Sequence, residues 1–174
     1  RARVSPPNSK RKTPRLVRGV LYVAHKNKEK PVSNSTQLQA EAAATLTQWH
    51  GLMQKNDLNG LPALLHPQAV FRSPMAYKPY AGAPMVSLIL NTVSKVFVDF
   101  AYHRELVSAD GLSVVLEFSA KVGERELKGI EMIRFDESGK IVEFEVMIRP
   151  MSGLQALGDE MGRRLAPFLA VAKA

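Results

Sequence analysis

At 174 residues with 45% hydrophobic side chains, the chain suggests one domain, or one domain with a tail, and can fill a single core. It has no cysteine, which excludes a disulfide scaffold, thiol catalysis and cysteine-ligated metal and fits a reducing, cytoplasmic setting; no apolar run reaches the roughly 18 residues of a membrane-spanning helix. The net charge of +8 is unevenly placed: residues 1–35 hold ten Lys/Arg against the single acid Glu29, and the remainder holds fourteen against fifteen acids, so the basic charge argues for a nucleic-acid partner only through the tail.

Residues 1–35 carry Pro6, Pro7, Pro14 and Pro31 with little apolar periodicity, and read as a mostly disordered basic extension. Leu16 to Val23 is its one apolar patch. A targeting peptide, a nuclear address at Lys10-Arg11-Lys12, a nucleic-acid contact and a plain solvated extension all fit this composition. The chain opens on Arg1 and its first methionine is Met53, which reads as a fragment, a processed chain or a reading frame extended upstream.

Residues 36–174 read as the folded domain. Thr36 and Gln39 have capping-box spacing, and Leu38, Ala42, Leu46, Trp49 and Met53 then recur on one helical face up to Lys55-Asn56-Asp57. Leu58 to Leu65 predicts a short second helix stopped by His66-Pro67, and Ala69 to Arg72 a short strand closed by Ser73-Pro74. The loop Met75 to Gly82 carries Tyr77 and Tyr80. Pro84 suits the first turn of a helix whose apolar face is Met85, Leu88, Ile89, Val93 and Val96.

Phe97 to Val107 is strand-like, and Leu112 to Val122 alternates apolar with polar residues as a half-buried strand does. Glu126 to Arg149 predicts two long strands joined by a tight turn at Asp136-Glu137-Ser138-Gly139. Pro150 opens a C-terminal helix with Leu154, Leu157, Met161, Leu165 and Phe168, weakened by Gly153, Gly158, Gly162 and Pro167. Strands following helices indicate an α+β layer, a curved antiparallel sheet with helices on one face.

Several stretches together resemble the nuclear transport factor 2-like superfamily, in particular its SnoaL-like branch. They are Trp49, Lys55 to Leu58, Leu64 to Pro74, Tyr80 to Gly82, Gly129 to Phe135 and Gly139 to Phe144. The resemblance covers roughly residues 36–150. It implies an α+β cone, commonly dimeric, with a deep apolar pocket between the concave sheet face and the helices, and no cofactor. The ketosteroid isomerase branch places a general-base Asp before the Pro that follows the first strand; Ser73 stands at that position here. A first-helix Tyr of that branch matches Trp49, which donates only through its indole N–H. Its protonated acid falls on Glu131, the one role of the three retained in kind. The epoxide-hydrolase branch needs a last-strand Asp near Val146, which is absent.

Alternation sorts the hairpin. With Glu131 inward, Leu127, Gly129, Ile133 and Phe135 face inward with it, joined by Leu116, Phe118 and Ala120 on the preceding strand and Phe144, Val146 and Ile148 on the last. The outward set, Glu117, Lys121, Lys128, Arg134, Glu143, Glu145 and Arg149, places opposite signs across strands. An apolar wall with a single acid is the composition of a small-molecule pocket, and a desolvated Glu131 has a raised pKa. The expected pocket is Trp49, Phe71, Ser73, Tyr77, Tyr80, Leu116, Phe118, Ile133, Phe144, Val146 and Ile148, with Tyr77 and Tyr80 on a lid. It would bind a modest apolar ligand, with Glu131 as an acid/base group of an isomerase, cyclase or dehydratase-like step. The alternative is a non-catalytic dimerisation or ligand-sensing module in which Glu131 pairs internally with the Trp49 N–H, a Tyr or His103. His50, His66 and His103 read as structural.

Overall fold

The structure is a computed structural model that describes residues 37–171, with side chains to Phe168. The readings of residues 1–35, and of Thr36 as a helix cap, lie outside the described residues. Helix α1 spans Ala40–Lys55 and begins one residue after Gln39, which takes the N-cap position with extended backbone and no side-chain cap. Gln39 instead ties α1 to a distant turn: its backbone N–H donates to the Gly111 carbonyl at 2.9 Å and its Nε2 to the Asp110 carbonyl at 3.0 Å. Asn56 ends α1 in the left-handed conformation, its N–H bonded back to the last turn.

The segment expected as a second helix is a single 3-10 turn, Leu61–Ala63, with Pro62 in its first positions. Strand β1 then starts at Leu65 and runs to Arg72, so His66 and Pro67 lie within it and do not terminate a helix. Both are tolerated because β1 departs from its ladder there: its register on the neighbouring strand slips between Leu65 and Val70. A two-residue strand β2, Tyr80–Ala81, precedes α2, Ala83–Ser94, which carries Pro84 in its first turn. Strands β3 (Val98–Val107), β4 (Ser113–Val122), β5 (Arg125–Phe135) and β6 (Ile141–Arg149) follow, and α3 spans Met151–Val171.

The sheet order is β2-β1-β6-β5-β4-β3. Four consecutive antiparallel strands, β3 to β6, form as expected, but β1 joins β6 in parallel, so the six-stranded curved sheet is mixed rather than antiparallel throughout. That pairing brings together the chain's first and last strands, with one helix, α2, and four strands between them in sequence. The sheet remains open.

Inward alternation holds on β4 and β5: Val114, Leu116, Phe118, Ala120, Leu127, Ile133 and Phe135 are all buried, as is Glu131. Trp49 of α1 packs edge-on against Phe144 of β6, and Phe144 in turn lies beside Phe71 of β1. On α2 the buried residues are Val86, Ile89 and Leu90, with Met85, Leu88 and Val93 half-buried, so its buried stripe is centred beside the expected one. On the outer face Arg72–Glu143, Arg104–Glu117 and Lys121–Asp99 pair opposite charges. Among the described residues no helix is long and apolar enough to cross a membrane.

Candidate functional site

Between the concave sheet face and the helices lies a cavity of about 230 Å³. Its sheet wall is Phe71, Phe118, Glu131, Val146 and Ile148; α2 contributes Ile89, Leu90 and Val93, and α3 contributes Leu157, Gly158, Met161, Gly162 and Leu165. The loop after β1 closes one side with Ser73, Pro74, Met75 and Ala76. The lining is apolar apart from the hydroxyls of Ser73 and Tyr80 and the Glu131 carboxyl.

Glu131 is 5% exposed, and its carboxyl meets one hydrogen-bond donor among the described residues. The Tyr102 hydroxyl donates to Oε2 at 2.7 Å, and the Trp49 Nε1–H donates to the Tyr102 oxygen at 2.9 Å. The chain of donors therefore runs from α1 through β3 to β5. Burial penalises the charged carboxyl and pushes Glu131 up from 4.5 to about 7, against the Tyr102 hydrogen bond, which favours the ionised form. Burial likewise raises Tyr102 well above the usual phenol value, and the neighbouring Glu131 charge adds to it. The phenol is thus held as a donor. With Oε2 occupied, Oε1 is the carboxyl atom left to meet a ligand. At neutral pH Glu131 populates both protonation states, so it can give or take a proton there.

Of the expected pocket residues, Phe71, Ser73, Tyr80, Phe118, Glu131, Val146 and Ile148 line this cavity together. Trp49, Leu116, Ile133 and Phe144 do not; each is at most 1% exposed and fills the core behind the wall. Tyr77, expected on a lid, is fully exposed and contributes nothing to the lining. Glu131 pairs with a Tyr, as the internal-pairing alternative allowed, but sequence reasoning did not single out Tyr102 as that residue, and it missed the α2, α3 and loop contributors to the lining. His103 bonds Ser119 on the exposed face, His66 accepts the Gln68 N–H, and His50 lies with its ring 5.1 Å from that of Tyr102.

An open, curved, mixed sheet with helices packed on it is the nuclear transport factor 2-like α+β fold. The SnoaL-like domain profile matches residues 46–144, and the chain belongs to that family. It is similar to a steroid delta-isomerase from Pseudomonas aeruginosa at 76% identity and a TM-score of 0.75, over 78% of this chain and 99% of that one. It is also similar, at 34% identity and a TM-score of 0.68, to an uncharacterized protein conserved in bacteria with a cystatin-like fold from Silicibacter pomeroyi, over 75% and 93% of the two chains. The epoxide hydrolase/cyclase-like enzyme SalBIII shares the fold alone, at 13% identity and a TM-score of 0.54 over 65% of this chain and 93% of that one. A comparison with curated proteins gives no match.

Proposed function

We propose that this protein binds a small, largely apolar molecule in the cavity and that Glu131 moves a proton on it, in an isomerase, cyclase or dehydratase-like step. The observation that carries this reading is the placement of Glu131: a carboxyl buried in an apolar wall, one oxygen held by Tyr102 and the other without a hydrogen bond among the described residues. Such an acid is expensive to bury, because loss of water penalises its charged form. The relative named as a steroid delta-isomerase supports the isomerase form. Ser73 stands where a second carboxylate would serve as base: its Oγ accepts the Met75 N–H at 3.1 Å and has no acidic or basic partner among the described residues.

The test is turnover of a β,γ-unsaturated ketosteroid and smaller cyclic β,γ-enones by wild type and Glu131→Gln. Turnover lost in the variant, with folding kept, supports the reading. Full activity in the variant removes Glu131 from the chemistry. Ligand binding without turnover favours the non-catalytic sensing module, which uses the same cavity. Self-association as a homodimer belongs to the same reading and is checked by sedimentation equilibrium.

A further inference from the structure

We propose that Met75 is the gate through which ligand enters this cavity, a role that rests on the reading that the cavity takes a ligand. Met75 lines the cavity, yet it is 49% exposed, so its side chain separates the interior from solvent. It lies flat on α3 at Gly158. A Cβ added there would sit 2.5 Å from the Met75 methyl, 3.2 Å from its sulfur and 3.4 Å from Cγ. Any other residue at 158 would hold the thioether off the helix. One turn further on, Gly162 also lines the cavity and is exposed, and a Cβ added there meets nothing within 4 Å. Open space therefore lies one turn along α3 from the Met75 contact at Gly158.

The backbone beneath the gate is held. The Ser73 hydroxyl accepts the Met75 N–H at 3.1 Å, so opening proceeds by rotating the side chain. An unbranched thioether with three rotatable bonds suits that motion. Glu131 stands on the sheet wall, nearly fully buried, so a ligand passing Met75 meets apolar surface first and the carboxyl deeper in.

The experiment is stopped-flow binding of the neutral fluorescent probe N-phenyl-1-naphthylamine to wild type, Met75→Ala and Gly162→Leu. A Val146→Trp variant that fills the cavity defines the cavity-bound signal, and melting temperatures confirm that each variant folds. Because the same side chain must move for entry and for exit, Met75→Ala is expected to raise association and dissociation rates together, by about tenfold if the gate is open about a tenth of the time whether the cavity is empty or filled, with Kd little changed. Gly162→Leu, which extends a side chain into the open space one turn along α3, is expected to slow both. Binding by Met75→Ala but not by wild type makes Met75 a plug that occupies the cavity and overturns the gate. Unchanged rates overturn it and leave the cavity reading standing. A faster dissociation alone makes Met75 a wall contact and also overturns it. No cavity-bound signal in any variant overturns both readings.

Discussion

Tyr102 reaches Glu131 across an intervening strand. Tyr102 is in register with Phe118, and Glu131 with Leu116, so the 2.7 Å hydrogen bond passes over β4 between two inward side chains. The phenol ring is held on edge by Phe100, at 4.8 Å between centroids, and its oxygen by the Trp49 indole. The acid is positioned by packing on three elements rather than by its own loop, which is how a reactive group is held rigid.

Replacing Glu131 by Gln is expected to change how stability depends on pH. The carboxyl moves from 4.5 to about 7 on folding, so the folded state holds the proton more tightly than the unfolded state. Ionisation therefore opposes folding: the penalty is absent below 4.5, grows as pH rises to about 7, and is constant above that. At 1.36 kcal/mol per pH unit the full penalty is about 3 kcal/mol. Urea unfolding near pH 4 and near pH 9 checks this. Glu131→Gln should gain stability over wild type at the higher pH only, and an equal difference at both contradicts the buried acid.

Tyr102→Phe is expected to push Glu131 above about 7, because the lost hydrogen bond is the one interaction that favours its charged form. It also strips the buried Trp49 N–H of its acceptor, at a cost of about 1–3 kcal/mol. Carboxyl-carbon NMR of selectively labelled glutamate follows the titration. A downward shift would mean that the phenol does not stabilise the carboxylate.

Tyr77→Ala should be silent. The side chain is fully exposed, and surface changes of this kind stay within about 0.5 kcal/mol. Its melting curve and its affinity for the naphthylamine probe are expected to match wild type. A weakened affinity would restore Tyr77 to the pocket.

The hairpin was legible because period-two alternation is unbroken over β5 and most of β6, so placing Glu131 inward placed its neighbours too. Tyr102 was hidden by the opposite condition. Its strand slips register between Val98 and Ala101 and again between Tyr102 and Glu105, and Asp99 sits at a positive φ of 52°, so parity along β3 does not report which residues face inward. The parallel pairing of β1 with β6 depends on residues far apart in sequence, such as Phe71 and Phe144, and no local pattern encodes it. The α3 contribution was masked by its glycines. They weaken a helix in isolation, yet Gly158 is where Met75 needs room, and Gly153 packs on the β5 backbone beside Leu127.

Gly129→Ala tests how tightly the wall beside Glu131 is built. A Cβ at 129 would lie 2.5 Å from Phe118 Cζ, 2.6 Å from its Cε1 and 2.7 Å from the Met147 carbonyl oxygen. The ring could turn only by leaving its stack with Phe100 and its contact with Phe97, and the carbonyl belongs to the β6 backbone paired alongside. Neither neighbour gives way cheaply, so the variant should lose about 1–3 kcal/mol, the range for inserting a methyl into a filled core. Because Phe118 lines the cavity, probe affinity should fall with stability. Denaturant unfolding and probe titration on the same preparation measure both. A stable variant with unaltered affinity would show that β5 and β6 separate at this point more readily than their register implies.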